Sequence, residues 1–421
     1  MQNVKFEYVA SGFSYFRINK KNGLTPNILD FFKKTYASIN DKHNHKVSLL
    51  YNAFVETAHG EMFQDTVRPL VHQIHADSGG LQMITLGKTI TEQLKMDIYA
   101  NQAKYSDVAM SFDMIPVKVL GDRSVRLDTT TRKFDPESLE SCAKESGKNL
   151  EKQIQYFLDQ KSKTKPFLIA QGNCYDSYMK WVELMLKEIP SNHVKYIGGI
   201  AMGAAALGKG TLEDIKRAFY FTQLPIELEH NHMHLLGVGA FPRMIPTLVF
   251  VQNELYKNMV ISYDSTTHTA SITRGLYFYK TKMLNYPRYL NLDYETIHKD
   301  INSNFPNVFN HDVHLLHECL NNPPSVIAKK YGSTDPSIET AVAYISSAIK
   351  NFAKCVDHMV NNEEDMLKLL SPIYQSAFRS LKEVQTLEDF NKWLSSVGKY
   401  IDSDALGIYN PTPALEALFG E

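Results

Sequence analysis

The sequence predicts an α/β protein built on a (β/α)8 barrel of the TIM type, with inserted loops and a C-terminal helical region. Three observations lead there. Seven short apolar runs of strand character alternate with amphipathic helical stretches over roughly 220 residues, and strand followed by helix, repeated, means parallel pairing through crossovers. Most of these runs end in Gly, Asp or Gln, the residue types that populate the carboxyl-end loops of such barrels. No GxGxxG opens the first helix, which removes the main support for a pair of dinucleotide-binding halves.

Residues 1–45 begin with an aromatic-rich segment (Phe6, Tyr8, Phe13, Tyr15, Phe16), turn at Lys20-Lys21-Asn22-Gly23, and carry a short helical pattern from Pro26 to Tyr36. Strands are then expected near Val47–Phe54, His72–Ala76, Val108–Phe112, Pro166–Ala170, Tyr196–Ala201, Met233–Val238 and Met259–Tyr263. Helices are expected at Thr89–Ala103, Asp135–Asp159, Tyr175–Lys187, Thr211–Thr222 and Pro242–Lys257, where apolar residues recur at helical spacing. The eighth strand is not placed by pattern. Residues 117–133, with Lys118, Arg123, Arg126, Arg132 and Lys133, form a basic, Thr-rich insertion, read as a solvated surface ribbon in preference to a phosphate contact.

A change of character near residue 275 divides the chain into a catalytic barrel with an N-terminal extension (1–275) and a Tyr/Lys-rich segment followed by a helical subdomain (276–421). Residues 274–290 interleave Arg274, Lys280, Lys282 and Arg288 with Tyr277, Phe278, Tyr279, Tyr286 and Tyr289. That pattern suits neutralisation of a nucleic-acid backbone with base stacking, and it also suits Tyr-rich edge strands with Lys on the solvent face. Helices are expected over Ser337–His358, Glu363–Lys382 and Thr386–Tyr400.

With 421 residues, 43% hydrophobic and 22% charged, the chain has the composition of a globular protein with a large core. Its formal charge of −1 excludes a general polycationic field, so any nucleic acid must be held by a local basic patch. The four cysteines (Cys142, Cys174, Cys319, Cys355) form no CxxC pair, as befits reduced thiols, and the expectation is a cytoplasmic protein without disulfides. Met1–Ser11 lacks an apolar leader core and no run of 18 apolar residues occurs, so neither export nor membrane contact is expected.

Polar groups collect at the strand ends. Asp77-Ser78-Gly79-Gly80-Leu81-Gln82 places a carboxylate, a hydroxyl and two glycines behind the second of the seven strands; the ordinary alternative is a turn with an Asp helix cap. Ser111-Phe112-Asp113 adds a second carboxylate, Ala170-Gln171-Gly172 a carboxamide, and Gly198-Gly199-Ile200-Ala201-Met202-Gly203 and Gly237-Val238-Gly239 bare backbone. Ser262-Tyr263-Asp264-Ser265 supplies a third carboxylate. Asp113 and Gln171 suit the amide and amine edges of a planar purine-like base. Asp77 and Asp264 then remain for chemistry at a sugar carbon, one as nucleophile and one as acid/base. A barrel glycosidase acting on free carbohydrate is disfavoured by the presence of two tryptophans only, since sugar platforms favour that side chain.

These segments, in this order and over roughly residues 45–270, resemble the tRNA-guanine transglycosylase family. The resemblance implies a (β/α)8 barrel that exchanges guanine in nucleic acid for a 7-deazaguanine through a covalent sugar intermediate. It implies Asp264 as the nucleophile at C1′ and Asp77 as the acid/base that protonates the departing guanine and later deprotonates the incoming base. Ser78, Asp113, Gln171, Gly198 and Gly199 resemble the family's base-reading groups. Leu81 and Leu236 fall where the family stacks side chains on the base, so apolar packing is kept and aromatic stacking is not.

Two departures matter. The segment after the nucleophile reads Asp264-Ser265-Thr266-Thr267-His268 in place of the family's Pro- and Arg-containing anticodon grip, and no CxCxxC zinc motif occurs. His311, His314, His317 and Cys319 are spaced as HxxHxxHxC, read as a solvated helix rather than as zinc ligands, so no cofactor is expected. Loss of the grip with retention of the base chemistry is similar to the phage-type and bacterial paralogues that place 7-deazaguanines in DNA and so evade restriction. The implied partners are DNA and a free 7-deazaguanine base, the implied location for a phage-encoded enzyme the host cytoplasm. Lys280, Lys282, Tyr286 and Arg288 are the candidate nucleic-acid contacts, because a base buried in a duplex must be flipped to reach the pocket. The alternatives are tRNA, whose loop offers its base splayed, and a non-catalytic nucleic-acid-binding paralogue, against which both Asp77 and Asp264 speak.

Overall fold

The computed structural model describes residues 5–11, 37, 45–54, 68–81, 83, 89–119, 132–203, 211–223, 231–238, 246–249, 259–265, 276–279, 282–285, 299–300, 303–304, 336–368 and 372–397. Eight strands close an all-parallel barrel: β1 (Lys5–Ala10), β2 (His45–Asn52), β3 (Ile74–Asp77), β4 (Val108–Met110), β7 (Lys165–Ala170), β8 (Gly199–Met202), β9 (His232–Leu235) and β10 (Val260–Ser265). Around the barrel the order is β1-β10-β9-β8-β7-β4-β3-β2. Two short strands, β5 (Val117–Val119) and β6 (Arg132–Phe134), pair antiparallel at the base of the basic insertion.

The strand that pattern alone does not place is β1. It closes the barrel by pairing with both neighbours, Tyr8 opposite Tyr263 on one side and opposite Val47 on the other. Its outward residues Phe6, Tyr8 and Ala10 join the main core, while Glu7 is buried within the barrel. A parallel barrel strand normally reads as a continuous apolar run. The carboxylate of Glu7 breaks that run.

Alternation along the other strands gives the barrel a lopsided interior. Val108 and Met110 of β4, Phe167 and Ile169 of β7 and Ala201 of β8 form a separate apolar cluster inside it. The other half is polar, with Glu7, Ser48, His75, His234 and Ser262 all buried. The intervening residues, among them Ile74, Ala76, Leu168, Ala170, Met233, Leu235, Ile261 and Tyr263, face outward into the main core.

Helices α1 (Glu92–Tyr105), α2 (Leu139–Asp159) and α3 (Tyr175–Lys187), then, after a short α4 (Ser191–Val194) that the pattern does not foresee, α5 (Thr211–Gln223), follow their strands, and all but α4 lie where the sequence pattern predicts helix. The helical pattern from Pro26 to Tyr36 lies outside the described residues, and of Pro242–Lys257 only residues 246–249 are described. Thr91 caps α1, its hydroxyl accepting from the Leu94 N–H at 3.2 Å. Gly147 lets α2 approach α3 closely, since a Cβ there would lie 2.7 Å from the Met185 carbonyl oxygen. The Trp181 indole of α3 donates to the Ile169 carbonyl at 2.9 Å, tying that helix to β7.

Beyond the barrel, β11 (Leu276–Tyr279) pairs antiparallel with β12 (Lys282–Asn285), so part of the Tyr/Lys-rich segment is a strand pair. Helices α6 (Pro336–Asn361), α7 (Glu363–Lys368), α8 (Pro372–Leu381) and α9 (Leu387–Ser396) complete the described chain, the second expected helix being broken before Pro372. They share the barrel's core. Phe352 of α6 lies with its ring centroid 6.2 Å from those of both Tyr8 and Tyr263, and Phe390 of α9 stacks on Phe219 of α5 at 4.0 Å. Phe352→Ala is therefore expected to cost about 3–5 kcal/mol, read as a lowered urea midpoint. An unchanged midpoint would mean that α6 does not brace the β1–β10 seam. Among the described residues no helix is long and apolar enough to cross a membrane.

Candidate active site

The carboxyl end of β3 sets the first group. Asp77 is its last residue, opposite Asn52 in the β2 register, and the Asn52 amide donates to Asp77 Oδ2 at 3.3 Å. Gly79 then takes φ 79°, and a Cβ there would lie 2.7 Å from Phe54 Cβ, so this turn demands glycine on two counts. Burial pushes the Asp77 carboxyl up. The backbone N–H groups of Gly79 and Ser78 pull it down, the negative charges of Asp113 and Asp264 push it up again, and the balance lies at about 7. Asp77 thus feels the carboxylates of two other strand ends across the mouth.

Asp113 follows β4 and is buried. Its carboxyl is raised to about 6 by burial, against the pull of the Gln171 amide, which donates to Oδ2 at 2.7 Å. Gln171 follows β7 and is itself seated by Gly203, because a Cβ at 203 would occupy the Gln171 carboxamide position. Gly80 packs beside the pair, its notional Cβ 3.3 Å from Asp113 Oδ1. Among the described residues the buried Ser78 hydroxyl and Gln171 Oε1 have no hydrogen-bond partner, a costly state that a bound polar ligand would relieve. Gly203→Val is expected to displace Gln171 and raise the KM for free base at least about tenfold, as loss of one such hydrogen bond implies. An unchanged KM would remove Gln171 from base recognition.

Asp264 stands near the end of β10, its side chain 14% exposed. Its Oδ1 accepts from the Gly237 N–H at 2.7 Å, and His234 Nε2 lies 3.4 Å from the same oxygen. Gly237 adopts φ 69° to present that N–H. Leu236 is half-buried over the apolar cluster of Val108, Met110, Phe167, Ile169 and Ala201, and Leu81, also half-buried, follows Gly80.

Asp77, Ser78, Asp113, Gln171 and Asp264 are therefore drawn to one end of the barrel, with Leu81 and Leu236 following its loops. Gly198 and Gly199 are not. Gly199 is the first residue of β8 and pairs with Phe167 near the start of β7, so both glycines lie at the amino end of the barrel. Added Cβ atoms there would strike Lys165, Phe167 and the His232 carbonyl, which makes them packing glycines. At about 3.3 Å per strand residue, Gly199 sits roughly 13 Å below Gly203. The glycine beside the carboxamide is Gly203, the last of the same motif.

Lys280, Tyr286 and Arg288 lie outside the described residues, as do His311, His314, His317 and Cys319; Lys282 opens β12, of which the backbone is described. Among the described residues no group of three or more His, Cys, Asp or Glu is placed to hold a metal ion. Two contributors escape a reading of strand-end motifs. Asn52 holds Asp77, and His234 faces Asp264 from the interior of β9; the alternation in His232-Met233-His234 is the signal for the latter. The site pairs one carboxyl that gains and loses a proton near neutrality with a second one whose contacts, among the described residues, are made through Oδ1, the minimum for acid-assisted nucleophilic displacement. A scan against protein-family models found none that matches the chain, and a search of curated proteins returned no match.

Proposed function

We propose that the protein is a DNA guanine transglycosylase, a pentosyltransferase that exchanges guanine in DNA for a free 7-deazaguanine. The observation that carries this reading is the Asp77 carboxyl, pushed up to about 7 by burial and by the charges of Asp113 and Asp264. Such a group can protonate a departing base and recover the proton from its replacement.

Asp264 Oδ2 attacks C1′ of the target nucleotide, the C1′–N9 bond breaks, and the bonding pair leaves with the guanine as Asp77 delivers its proton. The free guanine departs and the 7-deazaguanine enters. Asp77 takes the proton from its N9, N9 attacks C1′, and the Asp264 carboxylate is released. Two inversions give net retention.

Guanine presents donors at N1–H and its 2-amino group, and the oxygens of Asp113 and Gln171 Oε1 are acceptors; adenine, with an acceptor at N1, would face them unfavourably. DNA is preferred over tRNA because Asp264-Ser265-Thr266-Thr267-His268 lacks the anticodon grip. A duplex target must be unstacked, for which the Tyr-rich 277–289 segment is the candidate platform.

The test is incubation of the protein with radiolabelled guanine and either duplex DNA or tRNA. Label in DNA is the expected result. Label in tRNA alone would reassign the polymer, and label in neither would overturn the reading.

A further inference from the structure

The polar half of the barrel interior is a connected chain of hydrogen-bonding groups that ends on Asp264. His232 Nε2 and His234 Nδ1 each lie 2.8 Å from the Ser262 hydroxyl oxygen, and His234 Nε2 faces Asp264 Oδ1 at 3.4 Å. Behind them, Glu7 Oε2 is 3.6 Å from His232 Nε2, and Glu7 Oε1 accepts from the Ser48 hydroxyl and contacts His75 Nε2 at 3.2 Å. His234, Ser262, His75 and Glu7 are all buried. A hydrophobic filling is the usual occupant of this space, and desolvating so many polar groups calls for a return.

We propose that His234 is a positioning residue for Asp264, held by Ser262 and His232 as the neutral tautomer that points an N–H at Asp264 Oδ1. The proposal rests on the reading of Asp264 as the nucleophile. The proton count and the carboxylate together set the direction of the chain; the Ser262 hydroxyl also lies 3.3 Å from the Met233 carbonyl oxygen, a longer contact than its 2.8 Å approaches to the two imidazoles. A serine hydroxyl has one proton to give. If Ser262 donates to His234 Nδ1, the single proton of His234 sits on Nε2 and meets the carboxylate. The opposite tautomer would set an imidazole lone pair against a carboxylate oxygen. His232 then donates its Nε2–H to the Ser262 oxygen, with the Glu7 carboxylate favouring a proton on that same nitrogen.

The charge states agree. Burial holds His234 below the ordinary histidine range, against the opposing pull of Asp264, and burial takes His232 down to about 3. Burial alone would raise the Glu7 carboxyl, but His75, His232 and Ser48 together hold it well below the carboxylate range. The groups that face His234 are thus two neutral partners, His232 and Ser262, the carboxylates Asp264 and Glu7, and the His75 ring, whose centroid is 5.7 Å away.

The consequence for chemistry is specific. The Gly237 N–H and the His234 N–H both address Oδ1, which leaves Oδ2 for C1′. In the covalent intermediate Oδ1 is the ester carbonyl oxygen. Donors already aimed there stabilise the carboxylate as it leaves in the second displacement. A separation of 3.4 Å is longer than a formed bond, and catalytic contacts of that length commonly tighten in the loaded complex.

The experiment uses the full-length protein labelled with ¹⁵N-histidine, the signals of His234 being identified by their loss in His234→Gln. Long-range ¹H–¹⁵N correlation is expected to show the neutral Nε2–H form and a shift of its Nε2 resonance in Asp264→Asn. In guanine exchange, His234→Leu is expected to lower kcat about 100-fold with KM for DNA within about twofold, as for loss of one aimed donor. His234→Gln, whose amide can donate to Asp264 and accept from Ser262, is expected to recover most of that rate. A cationic or Nδ1–H His234, or wild-type kcat in His234→Leu, overturns the proposal. Absence of exchange by the wild-type protein defeats the functional reading instead, and the tautomer then decides the hydrogen-bond assignment alone. If His234→Leu does not fold, the resonance shift and the His234→Gln kinetics still decide it.

Discussion

Asp264→Asn is expected to abolish both base exchange and the denaturant-stable adduct with nucleic acid, lowering exchange by about 10⁴-fold or more. The substitution is nearly isosteric. Asn keeps a carbonyl oxygen for the Gly237 N–H that now binds Oδ1 at 2.7 Å, so the β9–β10 mouth should hold its shape. It lacks the anionic oxygen that must form the bond to C1′, and neither of the other two described carboxylates at this mouth is free to replace it. Asp113 is engaged by Gln171 at 2.7 Å, and Asp77 has its carboxyl raised to about 7 and carries the proton. Denaturing gel electrophoresis of protein incubated with labelled oligonucleotide makes the measurement. An adduct that survives in the variant would mean that another side chain attacks the sugar.

Asp77→Asn is expected to slow exchange about 10²–10⁴-fold while leaving binding of DNA intact. The wild-type pH profile carries the finer information. Because the Asp77 carboxyl lies at about 7 and that of Asp113 at about 6, single-turnover adduct formation should decline below about 6, where Asp113 takes up a proton and loses an acceptor for the base, and fall about tenfold per unit above 7, as the acid form of Asp77 is depleted. The variant should lose that upper limb. Stability should respond in the opposite sense to that of an ordinary salt-bridged carboxylate. The folded-state value lies above the unfolded value near 3.8, so the native protein binds more protons in that interval and loses stability as pH rises from about 4 to about 7. Asp77→Asn, which has no charge to bury, should therefore be more stable than wild type at pH 8, by of order 2–4 kcal/mol, with little difference near pH 4. A variant less stable than wild type at pH 8 would show that the Asp77 carboxylate is well solvated.

Much of the architecture can be read from the chain because most of the seven apolar strands are followed by a helical pattern, an alternation that parallel pairing imposes. The strand-end motifs placed Asp77, Asp113, Gln171 and Asp264 at one mouth for the same reason: in a parallel barrel a residue that closes a strand has nowhere else to face. The failures have equally local causes. Lys5–Ala10 escaped because the buried Glu7 interrupts its apolar pattern, and the barrel tolerates that carboxylate by supplying His75, His232 and Ser48. The pair Gly198-Gly199 reads as backbone exposed to a ligand because glycines leave their amides and carbonyls bare. Their real constraint is the crowding by Lys165, Phe167 and His232 at the opposite end of β8, and strand boundaries decide between the two. His234 is harder to read for a different reason: the alternation His232-Met233-His234 marks it as an inward-facing histidine, but its meaning comes from Ser262 and Asp264 on the neighbouring strand.

The claim on which the rest depends is that Asp77 and Asp264 act on the same sugar carbon, one by bond formation and one by proton transfer. Its most direct test is proteolytic mapping of the complex formed with an oligonucleotide carrying a 2′-fluoroarabino guanosine, which slows the second displacement. Mass spectrometry should find the sugar attached to the peptide bearing Asp264, with Asp77 unmodified. Attachment to Asp77, to Asp113 or to a residue outside this mouth would contradict the account.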